Sequence, residues 1–289
     1  MKLLSFGEIL WDIYPAQKYL GGAPLNFAAH FSKHGGEAYM VSAVGRDSLG
    51  QAALEQLTAW RVNPAYIALL EGKETGQCLV QLDEHGVPSY TIKQDVAYDY
   101  IDSAAVADGF DALYFGSLAL RSEHNRQELM RLINSHRFPE VFVDVNVRQP
   151  FVSRESLLIC TENATVLKIS DEELPLFSGE VFGREYDSAA VVKKLASTYG
   201  NLNVVIVTRG AQGSLAYDCR SNRTVRCDAE PVTVASTVGA GDSFSAAFLY
   251  RYMAGWDIPR CLKAASRVSA YVVSRTEAVP EYDARTLQG

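Results

Sequence analysis

Short apolar stretches rich in β-branched and aromatic residues recur along the chain, and each is followed by polar residues and then by a helical pattern. A strand that is apolar on both faces must be covered on both sides, as in a parallel sheet between two layers of helices. The pattern predicts strands at Leu3–Ile9, Tyr39–Val44, Ala112–Gly116, Val141–Val145, Val166–Ile169 and Val204–Thr208. It predicts helices at Pro24–His34, Ser48–Trp60, His124–Asn134, Ser188–Tyr199, Asp242–Ala254 and Pro259–Ser274. We therefore expect an α/β fold in which residues 1–289 form one domain around a mostly parallel sheet flanked by helices.

One segment, GQCLVQLDEHGVPSYTI, interrupts this alternation. Its two alternating runs predict an antiparallel hairpin with a turn at Glu84–Gly86 and no crossover helix. Together with a strand-like stretch near the N-terminus, the hairpin predicts a small antiparallel β-lid built from about residues 10–20 and 76–101. Tyr90 and Tyr98 belong to this lid and are candidate contacts for a ligand beneath it.

The charge and the cysteines indicate the environment of the protein. The net charge is −7 and the charged residues are spread along the chain, which argues against nucleic acid or an anionic membrane as a partner. The five cysteines lie far apart without a C-x-x-C pair, as expected in a reducing compartment. No run approaches the roughly 18 apolar residues of a membrane helix, and Glu8 and Asp12 interrupt the first apolar stretch. We therefore expect a cytoplasmic protein.

The segment STVGAGDSFSAAF, from Ser236 to Phe248, places two glycines and an aspartate at the start of a predicted helix. Glycines allow a tight turn, and a helix N-terminus with free N–H groups binds anions such as phosphate. Asp242 would then accept the proton of a substrate hydroxyl during phosphoryl transfer, and the helix dipole is expected to keep its carboxylate ionised. The alternative is a plain turn in which Asp242 only caps the helix. The P-loop and Rossmann glycine motifs are both absent from the sequence.

A second constellation lies near the N-terminus, in YLGGAPLNFAAHFSKHGG. Gly21 and Gly22 precede a helix start, and Asn26 lies in its first turn with an amide that both donates and accepts hydrogen bonds. Such a group suits a polyhydroxylated ligand. Asp12, just after the first strand, offers a carboxylate to neighbouring sugar hydroxyls.

These two segments, in this order, resemble the two-part signature of the ribokinase (PfkB) family of carbohydrate kinases across essentially the whole chain. Within that family, GEILWDIYP followed by LGGAPLNFA looks most like bacterial fructokinases. The resemblance implies a ribokinase-like fold with a β-lid closing over the sugar. It also implies an ATP-dependent kinase that uses Mg²⁺ and phosphorylates a primary hydroxyl of a ketohexose, fructose to fructose 6-phosphate being the expected reaction.

The resemblance also implies roles for individual residues near the sugar and the transferred phosphoryl group. Asp12, Gly22 and Asn26 match sugar-binding positions, and Asp242 matches the catalytic base. The amides of Gly239, Ala240 and Gly241 match an anion hole for the transferring group. In DVNVRQP, Arg148 is the candidate partner of phosphate oxygens, with a surface salt bridge as the alternative.

Further matches concern the metal and the nucleotide. In KISDEELPLF, Glu173 matches the family's magnesium-positioning glutamate and Lys168 is expected to face the phosphates. The remaining candidate nucleotide contacts are Thr208, Gly210, Gly213, Ala265, Ser269 and Ser274. For the two glycines the alternative is a plain turn, and for the three residues near the C-terminus it is packing. The strands predicted before these motifs end at one carboxyl edge, where open α/β sheets bind ligands.

The sequence departs from the family pattern at two positions. Ser236 replaces the aspartate that begins the second motif, and Ser170 replaces the asparagine of the metal segment. These changes put activation by K⁺ in doubt, and we expect an active kinase with weak dependence on monovalent cations.

Alternative functions remain open at this point. In the first alternative, the acceptor is another sugar or a sugar acid, such as ribose or 2-keto-3-deoxygluconate. In the second, the chain is a non-catalytic ribokinase-like binding protein. A sugar acid requires a cation beside its carboxylate, for which Lys93 and Arg121 are the local candidates. Lid strands with open edges also make a homodimer through the β-lid an expectation.

Overall fold

The computed structural model describes residues 1–82, 88–283 and 286. The strands in this part of the chain are β1 (Lys2–Phe6), β2 (Leu10–Ile13), β3 (Lys18–Gly21), β4 (Glu37–Gly45), β5 (Val62–Leu70), β6 (Gly76–Leu82), β7 (Pro88–Ile92), β8 (Ala112–Gly116), β9 (Glu140–Asp144), β10 (Val166–Ser170), β11 (Val204–Thr208), β12 (Ser214–Asp218) and β13 (Arg223–Cys227). The α-helices are α1 (Ala23–Lys33), α2 (Ser48–Ala59), α3 (Glu123–Ser135), α4 (Arg154–Asn163), α5 (Leu174–Phe182), α6 (Ser188–Thr198), α7 (Ala240–Met253) and α8 (Ile258–Val273). Within the described ranges, no helix combines the length and apolar character needed to cross a bilayer.

Nine of the described strands form one sheet in the order β13-β12-β11-β10-β9-β8-β1-β4-β5. From β5 to β11 every neighbouring pair is parallel, whereas β12 and β13 add an antiparallel edge. This arrangement confirms the expected α/β fold. The chain leaves β1 toward β4 on one side and later returns to β8 on the other, so the carboxyl edge beside β1 is a topological switch point.

Apolar side chains from both faces of the sheet build two cores. On one face, Leu3 packs in a cluster with Phe27 of α1 and Phe248 of α7. On the other face, Leu4 packs in a cluster with Phe177 of α5. Adjacent residues of one strand thus point into opposite cores, which explains why the strand sequences are apolar throughout.

The predicted lid is present as a second sheet in the order β3-β2-β6-β7. Its two hairpins are antiparallel, but β2 and β6 pair in parallel and join them. The predicted turn at Glu84–Gly86 lies outside the described residues.

Some element boundaries differ from the sequence prediction. The first strand ends at Phe6 rather than Ile9, because the chain turns at Gly7, where an added Cβ would lie 2.5 Å from Cγ of Pro24. Helices α4 and α5 and strands β5, β12 and β13 were not predicted from the sequence. Strands β5 and β13 form the two edges of the large sheet, and their exposed polar positions weaken the apolar pattern that identified the central strands.

Candidate active site

The anion-binding turn predicted before α7 is formed by Gly239, which caps the helix with a φ of 79°. A Cβ at this position would lie 2.3 Å from the carbonyl oxygen of Ala278, so only glycine fits. Because Gly239 is the cap, Asp242 lies within the first turn and does not cap α7. The N–H of Ala240 donates to the carbonyl of Thr237 at 3.3 Å, which leaves the N–H groups of Gly239 and Gly241 as the candidate anion donors of the predicted set.

The Asp242 carboxyl does not behave as the helix dipole alone predicts. Burial raises the pKa of Asp242 to about 7, and the nearby Asp144 adds to the effect. A hydrogen bond from Asn26 and the positive charges of Lys168 and Arg148 lower the pKa again, but they do not offset burial. The expectation of a firmly ionised carboxylate was therefore wrong, and a pKa near neutrality suits a group that accepts a proton.

Helix α1 brings the predicted sugar-binding residue Asn26 to Asp242. Phe27 stacks on Tyr114 of β8 with 3.8 Å between ring centroids, which fixes the first turn of α1 over the sheet edge. In this turn Asn26 donates from Nδ2 to Oδ2 of Asp242 at 2.8 Å. Gly22 caps α1 with a φ of 110°, and a Cβ there would lie 2.4 Å from the carbonyl oxygen of Glu8. The two glycine motifs, far apart in sequence, thus meet in one site.

Two further carboxyls face this junction. Asp12 lies on β2, and a Cβ on Gly21 would be 3.2 Å from its Oδ2, so the strand backbone closely approaches this carboxyl. Glu8 follows β1, is 2% exposed, and accepts the N–H of Ala23 at 3.2 Å. Burial raises the pKa of Asp12, and burial raises the pKa of Glu8 to about 7.

The two lid tyrosines occupy different environments. Tyr98 is fully buried, its hydroxyl has no hydrogen-bond partner in the described part of the chain, and the guanidinium of Arg121 lies 4.8 Å from its ring centroid. Tyr90 lies on β7 and is 58% exposed. Of the two, Tyr98 is therefore the one placed beside the buried polar groups.

A cleft of about 410 Å³ opens beside the start of α7, and Asp144, Lys168, Thr208 and Gly241 are among its lining residues. Nζ of Lys168 donates to Oδ2 of Asp144 at 2.7 Å, and the hydroxyl of Ser245 donates to the same oxygen at 3.1 Å. Burial alone would lower the pKa of Lys168, but the Asp144 carboxylate reverses this and raises it. A Cβ on Gly241 would lie 3.4 Å from Nζ of Lys168, so an ammonium group held by Asp144 adjoins the turn predicted to bind an anion.

Arg148 also lines this cleft and is exposed on the loop after β9. Among the described residues its guanidinium donates one hydrogen bond, from Nη1 to the carbonyl of Val147 at 3.4 Å, so the surface salt bridge considered as the alternative is not seen there. Its charge lowers the pKa values of Asp12, Glu8 and Asp242. The guanidinium therefore faces the acidic group between the sugar side and the cleft.

Glu173 holds the backbone at the rim of the cleft. One carboxylate oxygen accepts the N–H of Val147 at 2.5 Å and the other accepts the N–H of Ser170 at 2.8 Å. Across residues 1–82, 88–283 and 286, no three His, Cys, Asp or Glu side chains are grouped to hold a metal ion. A carboxylate that retains free lone pairs at this rim fits a Mg²⁺ ion held mainly by phosphates and waters, because Mg²⁺ dehydrates reluctantly.

The predicted nucleotide contacts divide into three groups. Lys168 and Thr208 line the cleft. Gly210 and Gly213 flank a short 3-10 turn after β11, and both have positive φ values. The third group lies on α8 and at its end. Ala265 is fully buried, the hydroxyl of Ser269 donates to the carbonyl of Ala240, and the hydroxyl of Ser274 donates to the carbonyl of Tyr271. None of these three side chains lines the cleft.

Sequence reasoning missed Glu8 and the structural pairing of Lys168 with Asp144. Glu8 served only to exclude a signal sequence, although a carboxyl that directly follows a buried parallel strand is itself a signal for the ligand edge of the sheet. The buried pair depends on the parallel register of β9 and β10, which places Lys168 opposite Asp144.

Comparison with known proteins identifies the family of the chain. The model of the pfkB family carbohydrate kinases matches residues 13–285. A fructokinase of Salmonella typhimurium is 29% identical over 263 residues, covering 86% of this chain and 83% of that protein. A 5-dehydro-2-deoxygluconokinase of Listeria monocytogenes is 25% identical, covering 98% of this chain and 90% of that protein.

Solved structures show the same fold. The fructokinase of Vibrio cholerae with bound fructose, ADP and calcium superposes with a TM-score of 0.82 at 24% identity, covering 97% of this chain and 95% of that one. The aminoimidazole riboside kinase of Salmonella enterica gives a TM-score of 0.81 at 20% identity, covering 97% and 96%. With a family match over nearly the whole chain and both signature turns assembled in one site, the chain belongs to the pfkB family of carbohydrate kinases.

Proposed function

We propose that this kinase transfers the γ-phosphoryl group of ATP to a primary hydroxyl of a neutral ketohexose, with fructose as substrate and fructose 6-phosphate as product. The hydrogen bond of 2.8 Å between Asn26 and Asp242 carries this proposal, because it joins the sugar-side turn of α1 to the base in the first turn of α7. A hydroxyl bound at this junction would lie between the proton acceptor and the cleft that suits the phosphates.

The proposed reaction uses these groups as follows. The hydroxyl oxygen forms a bond to the γ-phosphorus, the bond from phosphorus to the β,γ-bridging oxygen breaks, and Asp242 receives the proton. The N–H groups at the start of α7 and the charges of Lys168 and Arg148 stabilise negative charge on the transferring group. Glu173 would help to hold a magnesium ion at the rim of the cleft, and the ion would supply further charge neutralisation. Closure of the lid excludes water that would otherwise receive the phosphoryl group.

The charges around the sugar side favour a neutral acceptor. Glu8, Asp12 and Asp242 place three carboxyls there. The two cations considered for a sugar acid are already paired, since Lys93 bonds Glu74 at 2.9 Å and Arg121 bonds Asp99 through two nitrogens. Because the pKa values of Glu8 and Asp242 are raised to about 7, these two groups are ionised only in part at neutral pH. A carboxylate on the substrate would meet repulsion that grows as the pH rises and that the uncharged hydroxyls of fructose avoid.

A sugar acid of the 5-dehydro-2-deoxygluconate type is the second candidate. The Listeria relatives named for this substrate support it, and so does Arg121, whose side chain is 7% exposed and whose Nη1 has no hydrogen-bond partner among the described residues. If Nη1 faces the bound substrate, it offers one charged donor to a carboxylate.

We also propose that the enzyme is a cytoplasmic homodimer. The open edges of the lid sheet, β3 and β7, and the exposed Tyr19 and Tyr90 support a homodimer formed through the lid. The five free cysteines support a cytoplasmic enzyme.

The test is ADP release with ATP and Mg²⁺ across fructose, ribose, glucose, adenosine, 2-keto-3-deoxygluconate and 5-dehydro-2-deoxygluconate, with Asp242→Ala in parallel. We expect turnover on fructose that the substitution reduces by about 10³-fold or more. Turnover on an acid alone would replace fructose by the second candidate. Silence across the panel with folded protein would favour a non-catalytic binding protein.

A further inference from the structure

One oxygen of the Glu8 carboxyl accepts a hydrogen bond from the backbone, whereas the other accepts none among the described residues. Oε1 accepts the N–H of Ala23 at the start of α1 at 3.2 Å. Oε2 is buried and has no hydrogen-bond partner in the described part of the chain. The side chain is 2% exposed, so bulk water does not satisfy this oxygen in the structure. A buried acceptor without a partner costs free energy, which a ligand group can recover.

Two other buried polar atoms near Glu8 have the same property. Oδ1 of Asn26 and the hydroxyl of Tyr98 are buried without partners among the described residues. The charge of Glu8 interacts with Tyr98, and it also interacts with Asp242, to which Asn26 is hydrogen-bonded. Three buried polar atoms in one region, from the β1–β2 loop, α1 and the lid, therefore lack hydrogen-bond partners among the described residues.

The chemistry of these atoms specifies what they bind. A carboxylate and an amide oxygen accept hydrogen bonds, whereas a phenol also donates one. Hydroxyl groups both give and take, so a polyol satisfies all three, whereas a methylene in place of one hydroxyl leaves an acceptor unpaired. Asp242 receives the proton of the reacting primary hydroxyl in the proposed reaction, so Glu8 is left for a different hydroxyl.

We propose that Glu8 is a sugar-binding residue that determines specificity, with Oε2 accepting a hydrogen bond from a secondary hydroxyl of the substrate. This inference rests on the proposed function for the identity of the sugar. It assigns Glu8 the selection of a hydroxylated over a deoxygenated carbon at one position of the ring. It also assigns Glu8 part of the discrimination against acidic sugars.

A purely structural role makes a different prediction. If Glu8 only binds the N–H of Ala23, then Glu8→Gln retains an acceptor for that bond and affects all substrates alike. Glu128 provides a matched control outside the site, because its carboxylate accepts the N–H of Ser103 at 3.1 Å on another part of the surface. The change Glu128→Gln should leave the preference among sugars as in the wild type.

The experiment measures kcat and KM for fructose and its 3-deoxy and 4-deoxy analogues with the wild type, Glu8→Gln and Glu128→Gln, and measures fructose binding by calorimetry. We expect the wild type to discriminate against one analogue by about 30-fold or more in kcat/KM. In Glu8→Gln this discrimination should fall to within about 3-fold, and fructose binding should weaken by about 10-fold or more, mainly through KM. If Glu8→Gln does not fold, Glu8→Asp withdraws the carboxylate by one methylene and should lose the same discrimination.

The outcomes separate this inference from the proposed function. Turnover of fructose with unaltered discrimination in a folded Glu8 variant overturns the role of Glu8 and leaves the kinase function intact. Fructose binding that weakens in Glu8→Gln without any turnover supports the role of Glu8 and rejects the kinase function. No binding of fructose to the wild type overturns both.

Discussion

The proposed base should cost the folded protein stability at neutral pH, so we expect Asp242→Asn to be inactive yet more stable than the wild type. Burial raises the pKa of Asp242 from 3.8 to about 7. A carboxyl with a raised pKa in the folded state stabilises the fold fully below about pH 4, and this contribution is lost as the pH rises through about 7. At about 1.4 kcal/mol for each tenfold difference in proton affinity, the loss approaches about 4 kcal/mol above pH 8.

Asparagine removes the ionisation while keeping most of the contacts. Its amide oxygen can still accept the hydrogen bond that Asn26 donates to Oδ2 of Asp242 at 2.8 Å. Because local relaxation recovers part of the cost of burying a charge, we expect a gain of about 1–3 kcal/mol in unfolding free energy at pH 8. At pH 4.5 the wild-type carboxyl is protonated in the folded protein but still mostly ionised in the unfolded chain, so the gain should fall to about a quarter of its value at pH 8.

Urea denaturation of both proteins at pH 4.5, 6, 7 and 8 measures this difference. Asp47→Asn is a control of opposite sign, because the hydrogen bonds from Thr75 and Gly50 overcome burial and lower the pKa of Asp47. A lowered pKa stabilises the fold above the unfolded pKa, so this variant should lose stability most at pH 8. A stability gain in Asp242→Asn that is absent at pH 8, or equal at pH 4.5 and 8, would refute the reasoning.

The remaining predictions concern the ion pair, the glycine turn and the rate. Lys168→Met leaves the Asp144 charge buried without its partner and should cost about 3–5 kcal/mol of unfolding free energy, whereas an unchanged urea midpoint would contradict a buried pair. Gly239→Ala places a methyl 2.3 Å from a backbone oxygen and should lower both Tm and kcat. Gly255 has a similar φ but open space around an added Cβ, so Gly255→Ala should lower Tm less and leave kcat unchanged. Equal losses of Tm and kcat in the two variants would exclude the steric explanation. In a pH–rate profile kcat/KM should rise with pH to a plateau above about pH 7, because the base must be ionised, and a flat profile from pH 5 to 9 would contradict this. At fixed ionic strength K⁺ should change the rate little, because Ser236 replaces the family's aspartate, and a large saturable rise would show otherwise.

The periodic features of the sequence predicted the main layers of the fold. Central strands such as Val204–Thr208 are apolar on both faces, so their burial follows from composition alone. Helix α7 was predicted because its glycines and its apolar pattern are local features. Edge strand β5 was missed because its exposed positions weaken the apolar pattern, and the parallel pairing of β2 with β6 was not foreseen because it joins strands distant in sequence.

For the site, residue types were predictable but their environments were not. The helix dipole is a local effect and gave the wrong direction for Asp242, since the burial that dominates its pKa comes from the surrounding fold. Glu8 lacks a motif of its own, and its importance depends on how α1 approaches it through the N–H of Ala23. Lys168 was expected to face phosphates, but only the register with β9 shows that Asp144 fixes its position.

The bond between Asn26 and Asp242 joins residues 216 positions apart, and this separation has a consequence for synthesis. A growing chain that ends before α7 already contains α1, the strand β1 and the lid sheet, but it lacks Asp242, the proposed base. If the proposed roles are right, such a chain contains the residues proposed to bind the sugar but not the group proposed to accept its proton. We therefore expect phosphorylation only after α7 has been synthesised and has packed against α1.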